Sequence, residues 1–333
     1  MSANRSIAVL GPIPRDRIVT HRGEVLEKYG CALYTVAALS ALLGEDDRIY
    51  PIVHVRREDE EPIKQLLSAF PNVDLTGVRS ARDHGAVVEL DYVDQNTRIE
   101  RQTGFMAPIT PADVEFALHA DAFVCVPITD YEVGQAALEY IKSHSTGTIL
   151  LDAHGPTSTL VIGGERRRRL WVERDSWLPS IDILKMNLEE AGCSWFPSRI
   201  GQEHYDAGAP IAFEKLPEFA AHCLRHGVKA VCVTLDERGC VTYRLDEDGN
   251  LVEQVVPRVP VEHVVDTTGA GDSFAAGMAF GYLQDADIVR AAQYGNAMGA
   301  QRCTGSALNV YLPLPETNEQ LRRTYGDAAV AGG

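Results

Sequence analysis

The chain has 333 residues, of which 45% are apolar and 23% charged, a balance typical of globular proteins and unlike that of disordered ones. Its formal net charge of −16 argues against a nucleic-acid-binding surface, because contacts to phosphate backbones require clustered positive charge. No apolar run reaches membrane-spanning length, the first residues lack the apolar core of a signal peptide, and the seven cysteines show no CxxC spacing. We therefore expect a soluble cytoplasmic protein with neither nucleic acid nor membrane as a partner.

Short apolar runs alternate with amphipathic segments along most of the chain. Buried strands are predicted at residues 7–11, 49–55, 122–126, 148–152, 181–186 and 229–235. Helices are predicted at residues 32–43, 60–70, 111–119, 131–143 and 213–226. This alternation predicts an α/β fold whose mainly parallel central sheet is covered by helices on both faces.

Two segments, 17–26 and 86–101, have instead the two-residue period of half-exposed antiparallel strands. They predict a small sheet, which is either a flap over the carboxyl ends of the central strands or a plain surface meander. Periodicity does not separate these two interpretations. The arginine run 166–169 lies near acidic residues in a helix-like stretch, which predicts the solvated face of a helix.

The last third of the chain begins with a predicted hairpin. Its strands at 238–244 and 250–256 flank Asp248-Gly249, a strong turn signal. Two helices are predicted to follow it, at residues 270–283 and 286–302.

Residues 266–272, between this hairpin and the first of these helices, read Asp-Thr-Thr-Gly-Ala-Gly-Asp. Gly269 and Gly271 let the backbone approach a ligand closely, and the free amides at the start of a helix attract an anion. A carboxylate at Asp272 beside an anion is electrostatically costly unless it has a chemical task, such as accepting a proton from a hydroxyl that attacks a phosphate. Taken alone, Asp272 is better explained as a helix cap.

Residues 266–274, followed by Ala-Ala-Gly at 275–277, resemble the C-terminal signature of the PfkB (ribokinase-like) carbohydrate kinase family. Other family features follow in the same order: a first strand with Asp16, a glycine signature at 30–44, an NxxE motif at Asn187 and Glu190, and a nucleotide-binding strand and turn at 233–239. The resemblance spans residues 5–315. It implies a ribokinase-like three-layer sandwich with a mainly parallel central sheet and a small β-sheet lid.

This resemblance also implies a division of the chain. A large nucleotide-binding domain would comprise residues 1–15, 28–84 and 104–325, and the lid residues 16–27 and 85–103. Residues 326–333 are predicted to form a flexible tail. The lid is now favoured over a plain surface sheet, and lids of this family often form a dimer contact, which implies a homodimer.

As a member of the family, the chain is expected to transfer phosphate from ATP, with Mg²⁺, to an alcohol. Asp272 would be the base, and the amides of Gly269, Ala270 and Gly271 the anion hole. Asn187 and Glu190 would position Mg²⁺ and the phosphates, Glu190 through water. Further nucleotide contacts are implied at Thr234, Asp236, Gly239, Thr268 and Asn296, and a monovalent cation such as K⁺ is implied at Asp266, with Thr268 and the turn at 304–306.

The acceptor contacts implied in the same way are Asp16, Gly30, Cys31, Thr35 and Arg98, with Arg101 as a further candidate. Three positions depart from the family pattern, since Cys31 and Asp236 stand where glycine is usual and Thr35 where asparagine is usual. The acceptor therefore stays open between a sugar, a sugar acid and a nucleoside.

Three other functions are compatible with parts of the sequence: a nucleoside kinase, a non-catalytic binding protein and a NAD- or FAD-dependent enzyme. The first is favoured by Tyr34 and Cys31, which offer a surface for a nucleoside base. A non-catalytic binding protein is opposed by the intact Asp272, Asn187 and Glu190. A NAD- or FAD-dependent enzyme is opposed by the absence of a GxGxxG turn after the first strand.

Overall fold

The computed structural model of the chain describes residues 4–20, 22–93, 98–196 and 211–330. The strands are β1 (Ser6–Leu10), β2 (Arg15–Val19), β3 (Val25–Tyr29), β4 (Arg48–His54), β5 (Val78–Arg79), β6 (Val87–Tyr92), β7 (Arg98–Gly104), β8 (Ala122–Cys125), β9 (Thr148–Asp152), β10 (Ser158–Leu160), β11 (Arg166–Arg168), β12 (Ile183–Asn187), β13 (Ala230–Thr234), β14 (Cys240–Leu245) and β15 (Leu251–Val256). The helices are α1 (Ala32–Leu42), α2 (Arg57–Leu67), α3 (Pro111–Val114), α4 (Gln135–His144), α5 (Arg174–Trp177), α6 (Leu188–Ser194), α7 (Leu216–Arg225), α8 (Ala270–Asp285), α9 (Ile288–Arg302) and α10 (Leu314–Tyr325).

The central sheet has the strand order β15-β14-β13-β12-β9-β8-β1-β4-β5. From β13 to β5 neighbouring strands are parallel, and β14 and β15 add an antiparallel edge. Strand β8 is buried at every position, as expected of a parallel strand covered on both faces. The predicted mainly parallel sheet is therefore confirmed.

Helix α8 packs against both α1 and α9 beside this sheet. These helices are buried because their residues are mostly apolar or small. Helix α1 is apolar or small almost throughout, and residues 273–281 of α8 are all buried. Helix α1 begins just after β3, and α8 begins within residues 266–272, here called the glycine turn, so this packing brings the two sequence signatures together.

A second sheet, here called the small sheet, has the order β3-β2-β6-β7. It confirms the predicted second sheet. Each of the two predicted segments falls on a pair of antiparallel strands, β2 with β3 and β6 with β7, and the amide of Thr20 donates to the carbonyl of Glu24 at the turn of the first pair. Residues directly opposite each other on neighbouring strands lie on the same face of a sheet. Asp16, Val88 and Gln102 are opposite one another on β2, β6 and β7, and all three are buried on the inward face of the small sheet.

The prediction of a helix at residues 166–169 is wrong. Arg166–Arg168 is strand β11, which pairs antiparallel with β10. The turn between them contains Gly163 and Gly164, both with positive φ, a signal for a hairpin that outweighs the charge pattern. The backbone of Gln102 donates to Gly164, so this hairpin lies against the edge of the small sheet.

The C-terminal region also differs from expectation. Helix α10 was not predicted, and its buried residues are only Thr317 and Leu321. Beyond it, residues predicted to be a flexible tail include a 3₁₀ turn at Asp327–Ala329 in which Ala329 is buried. Among the residues that the structure describes, no helix is both long and apolar enough to cross a membrane.

Candidate active site

The candidate site lies at the carboxyl edge of the central sheet, the edge at which α/β proteins bind ligands. Strands β9, β12 and β13 end there in Asp152, Asn187 and Thr234. The first turn of α8 and the inner face of the small sheet meet the same edge, because Gly30 packs against Asp16 and Cys31 against Asp272.

The glycine turn is shaped by one aromatic ring. Gly269 caps α8 with φ +83°, a conformation that favours glycine. A Cβ at Gly269 would lie 2.2 Å from Cδ2 of Tyr34, so the ring leaves no space for a side chain. Of the three amides predicted to form the anion hole, that of Ala270 already donates to the carbonyl of Thr267 at 3.1 Å. The helix start nevertheless offers its positive dipole end to an anion.

Asp272 lies in the first turn of α8, partly buried. Burial, and then the negative charge of Asp152, raise its pKa to about 6, against the opposing effects of Lys185 and His154. The thiol of Cys31 lies 3.6 Å from Oδ1 of Asp272. The carboxylate is thus ionised at neutral pH yet close to its pKa, as a general base should be.

A buried ion pair lies beneath this turn. Nζ of Lys185 is 2.6 Å from Oδ2 of Asp152, the residue paired with it in register between β12 and β9. A Cβ on Gly271 would be 3.2 Å from the same Nζ, which places a positive charge beside the glycine turn. Neither residue belongs to a sequence motif, but a lysine within an otherwise apolar strand is a signal by which the pair can be found from the sequence.

The NxxE motif forms a capping box at the start of α6. Oδ1 of Asn187 accepts from the amide of Glu190, and Oε2 of Glu190 accepts from the amide of Asn187, both at 2.8 Å. The other oxygen of Glu190 lies 3.0 Å from Nδ1 of His154 and 3.3 Å from Nη2 of Arg168. Although burial opposes it, pairing with His154 and the charges of Lys185 and Arg168 lower the pKa of Glu190.

The residues implied on the nucleotide side fall into two groups. Thr234, Asp236 and Gly239 lie at the end of β13 and in the turn after it, where Asp236 adopts φ +52° at a position that favours glycine. Asn296 differs from the prediction: its amide donates to the carbonyl of Pro257 at 3.1 Å and to the hydroxyl of Tyr325 at 3.1 Å. Its side chain therefore fixes neighbouring segments.

The structure also differs from the predicted cation site at Asp266. Its Oδ1 accepts from the amide of Thr268, and its Oδ2 is 3.0 Å from both Lys28 Nζ and Arg302 Nη2. Arg302 also donates to the carbonyl of Gly305, within the turn that was expected to supply further oxygen ligands. Two fixed positive charges from the chain thus occupy the oxygens proposed for K⁺.

The residues implied for the acceptor are partly brought together. Asp16 is buried on the small sheet, where burial raises its pKa to about 7 despite the nearby charges of Lys28 and Arg166. A Cβ on Gly30 would lie 2.6 Å from Oδ2 of Asp16, so this glycine permits the close approach. Cys31 adopts φ +50°, the strained backbone of the glycine that it replaces.

Three other residues considered for the acceptor, Thr35, Tyr34 and Arg101, have partners within the protein. Thr35 is fully buried and donates to the main-chain carbonyl of Asp272, so it braces α8. Tyr34 is buried between Gly269 and the guanidinium of Arg302, whose Cζ is 4.5 Å from the ring centroid, and so offers no face to a base. Arg101 pairs with Asp91, and the side chain of Arg98 lies outside the described residues.

Comparison of the sequence with known proteins finds a matching family model and several similar kinases. Residues 168–314 match the family model described as pfkB family carbohydrate kinase. The chain is 30% identical to a 2-dehydro-3-deoxygluconokinase of Bacillus subtilis over 46% of its own length and 43% of the relative. It is 33% identical to an ATP-dependent ribose-1-phosphate kinase of Halopiger xanaduensis over 51% of its own length and 62% of the relative. These matches span about half of the length of each curated relative.

The fold extends over nearly the whole chain. Arabidopsis thaliana ribokinase complexed with ribose and ATP superposes with a TM-score of 0.70 and 18% identity, covering 96% of this chain and 99% of that one. The chain thus has the ribokinase fold, and the part of it that carries the NxxE motif and the glycine turn matches the pfkB family of carbohydrate kinases.

Proposed function

We propose that the chain is a kinase that transfers the γ-phosphoryl group of ATP to a hydroxymethyl group of a sugar or sugar derivative. The observation that carries this proposal is Asp272, a carboxylate with a pKa of about 6 in the first turn of α8, beside the glycine turn and Lys185. Relatives named as 2-dehydro-3-deoxygluconokinase and ribose-1-phosphate kinase support it.

In this mechanism Asp272 accepts the proton of the attacking hydroxyl as its oxygen forms the new bond to phosphorus. The bond from the γ-phosphorus to the bridging oxygen breaks, and ADP leaves. The dipole of α8, the amide of Gly271 and the ammonium of Lys185 neutralise charge on the transferring group. Positioning and electrostatics supply most of the acceleration in reactions of this kind.

The donor set fits Mg²⁺ that is bound chiefly through phosphates and water. Mg²⁺ usually keeps several waters and takes one or two carboxylates. Glu190 is the carboxylate proposed for contact through water, with Asn187 holding it in place; Asp152 is already paired with Lys185. Thr234, Asp236, Gly239 and Thr268 are proposed to line the nucleotide.

Two further assignments belong to this proposal. A homodimer through the small sheet is supported by Val25 and Leu26 on its edge strand, each 53% exposed. A cytoplasmic location is supported by seven free thiols. The nucleoside alternative loses its main support, because Tyr34 is buried.

The test is a screen for ADP formation from MgATP over sugars, sugar acids, sugar phosphates and nucleosides. For the best acceptor, Asp272→Asn should lower kcat by about 10²–10⁴-fold, because a general base contributes that much. ATP affinity, measured by calorimetry, should change little. Near-normal turnover of the variant would remove Asp272 from its role, and ATP binding without turnover of any acceptor would favour a non-catalytic protein.

A further inference from the structure

The guanidinium of Arg166, on strand β11, has one open edge. Its Nη1 lies 3.1 Å from Oε2 of Glu100 on β7. Its Nε and Nη2 are buried and have no hydrogen-bond partner among the residues that the structure describes. These two N–H groups are parallel, the geometry that binds both oxygens of a carboxylate or two oxygens of a phosphate.

This edge lies beneath the inner face of the small sheet. Leu90 is opposite Glu100 and Val88 opposite Gln102 in the ladder of β6 and β7, and Asp16 is opposite Val88 in the ladder of β2 and β6. Glu100, Gln102 and Asp16 therefore share one face of the sheet. Burial and Lys28 have the largest effects on the pKa of Asp16, and the positive charge of Arg166 also lowers it. The guanidinium of Arg166 therefore lies near that row of residues.

The same row leads to the reacting centre. Asp16 packs against Gly30, and the next residue, Cys31, lies 3.6 Å from the carboxylate of Asp272. The inner face of the small sheet is thus linked to the proposed base through Gly30 and Cys31, and to Arg166 through Glu100.

Two neighbouring side chains also have unused polar atoms. Gln102 is 1% exposed, and its amide interacts with the carboxyl of Glu132 without reaching good hydrogen-bond geometry to it or to any other described residue. Glu132 is fully buried: Oε2 accepts from the amides of Ile128 and Thr129, whereas Oε1 has no such partner there. A buried polar atom without a partner is costly, so this concentration indicates a site built for a ligand.

Three carboxyl groups lie near Arg166: Glu100 is paired with Nη1, and the other two, Asp16 and Glu132, are close to their protonated form. Burial raises the pKa of Asp16 and of Glu132 to about 7 in each case. Each group therefore takes up a proton readily near neutral pH, and the protonated form donates a hydrogen bond instead of repelling negative charge.

We infer that the acceptor carries a carboxylate or phosphate group, which binds the open edge of Arg166 while the hydroxymethyl group of the same molecule lies at Asp272. Arg166 is then the residue that selects an anionic acceptor over a neutral sugar. This inference rests on the proposed kinase function, whose acceptor it narrows.

The experiment compares charged with uncharged acceptors in matched variants. Wild type, Arg166→Gln, Arg166→Lys and the control Arg167→Gln are assayed with 2-dehydro-3-deoxy-D-gluconate and ribose 1-phosphate, and with D-fructose and D-ribose as neutral counterparts. Arg167 suits as a control because it is the next residue of the same strand, with a side chain that is 62% exposed. One of the two anionic compounds should have the highest kcat/KM, and the one that does identifies carboxylate or phosphate.

For that compound, Arg166→Gln should lower kcat/KM by about 10- to 100-fold, the effect of losing hydrogen bonds to a charged group. Arg166→Lys should restore only part of it, because lysine keeps the charge and loses the paired donors. For neutral sugars the loss of kcat/KM in Arg166→Gln should be clearly smaller than for that compound, and all values for Arg167→Gln should stay within about twofold of wild type.

Equal use of neutral and anionic acceptors by the wild type, or an equal loss on both in Arg166→Gln, would overturn the inference. If no acceptor is turned over, calorimetric titration of the same anionic compounds into wild type and Arg166→Gln decides the matter. Binding that Arg166→Gln abolishes supports the anion site although the kinase proposal fails, and an absence of binding to the wild type refutes the site. Thermal unfolding of each variant confirms that it is folded.

Discussion

At the scale of single residues, Asp272 gives a prediction of pH dependence. The group must be ionised to accept a proton, and burial together with Asp152 raises its pKa to about 6. Protonation below that value removes the base, so log kcat/KM should fall with a slope of one per pH unit below about pH 6. The measurement is kcat/KM from pH 5 to 8 at constant ionic strength, and a profile that stays level down to pH 5 would contradict this assignment.

Gly269 gives a second residue-scale prediction, on stability. Its φ of +83° strains any other residue, and a Cβ there would lie 2.2 Å from the Tyr34 ring. Gly249 is a matched control, since it has φ +80° in an exposed hairpin turn with nothing within 4 Å of an added Cβ. We expect Gly249→Ala to lower the free energy of unfolding by about 1 kcal/mol.

Gly269→Ala should lower the free energy of unfolding by about 1–3 kcal/mol more than Gly249→Ala does, because the ring of Tyr34 must move as well. Its kinase activity should also be lost, since the anion-binding turn is displaced. The comparison is made by urea unfolding of both variants beside the wild type. Equal destabilisation by the two substitutions would show that Tyr34 does not press on the turn.

At the scale of elements, the turn before α8 is held from two sides by positive charge. Lys28 reaches Asp266 from β3, and Arg302 reaches it from the last turn of α9, each at 3.0 Å. Although burial opposes it, hydrogen bonds from Thr268 and the pairing with Lys28 lower the pKa of Asp266 to about 2. These cations already neutralise the carboxylate that a monovalent cation would need.

We therefore expect kinase activity that does not depend on K⁺. Rates in KCl, NaCl and tetramethylammonium chloride at equal ionic strength should agree within about twofold, since screening is the same in all three. An activation by K⁺ of tenfold or more would show that a cation site exists in spite of Lys28 and Arg302.

At the scale of the whole molecule, the small sheet is tied to the large domain along two lines. Lys28 joins it to the glycine turn, and Glu100 joins it to the hairpin of β10 and β11 through Arg166. The same hairpin reaches the NxxE motif through Arg168 and Glu190. The acceptor and phosphate sides of the proposed site are thus physically connected by a hairpin that lies outside the family signatures.

The outward edge of the small sheet supports a prediction about assembly. Val25 and Leu26 are exposed on β3, and an apolar edge strand is a common pairing surface. Light scattering should give twice the 36.4 kDa of one chain, and Leu26→Glu should give monomers. Val172→Glu, at a position 61% exposed outside the small sheet, is the control that should stay dimeric. A monomeric wild type would refute the proposed dimer.

The sequence by itself determined the fold class and the place of the glycine turn. Apolar strand runs and helical periods are local properties, so the parallel sheet followed from them; residues 266–272 are contiguous, so the signature was readable without a fold. The family match and the superposed ribokinase agree with both of these inferences.

Only the tertiary structure decided which side chains surround that turn. Asp152 and Lys185 meet across two strands 33 positions apart in sequence, and Lys28 meets Asp266 across 238 positions. The segments that contain Tyr34, Thr35 and Asn296 suggest ligand contacts, whereas the partners that the structure gives these side chains lie inside the protein. Spacing along the chain carries no information about such distant partners, because packing and electrostatic pairing depend on distance in space.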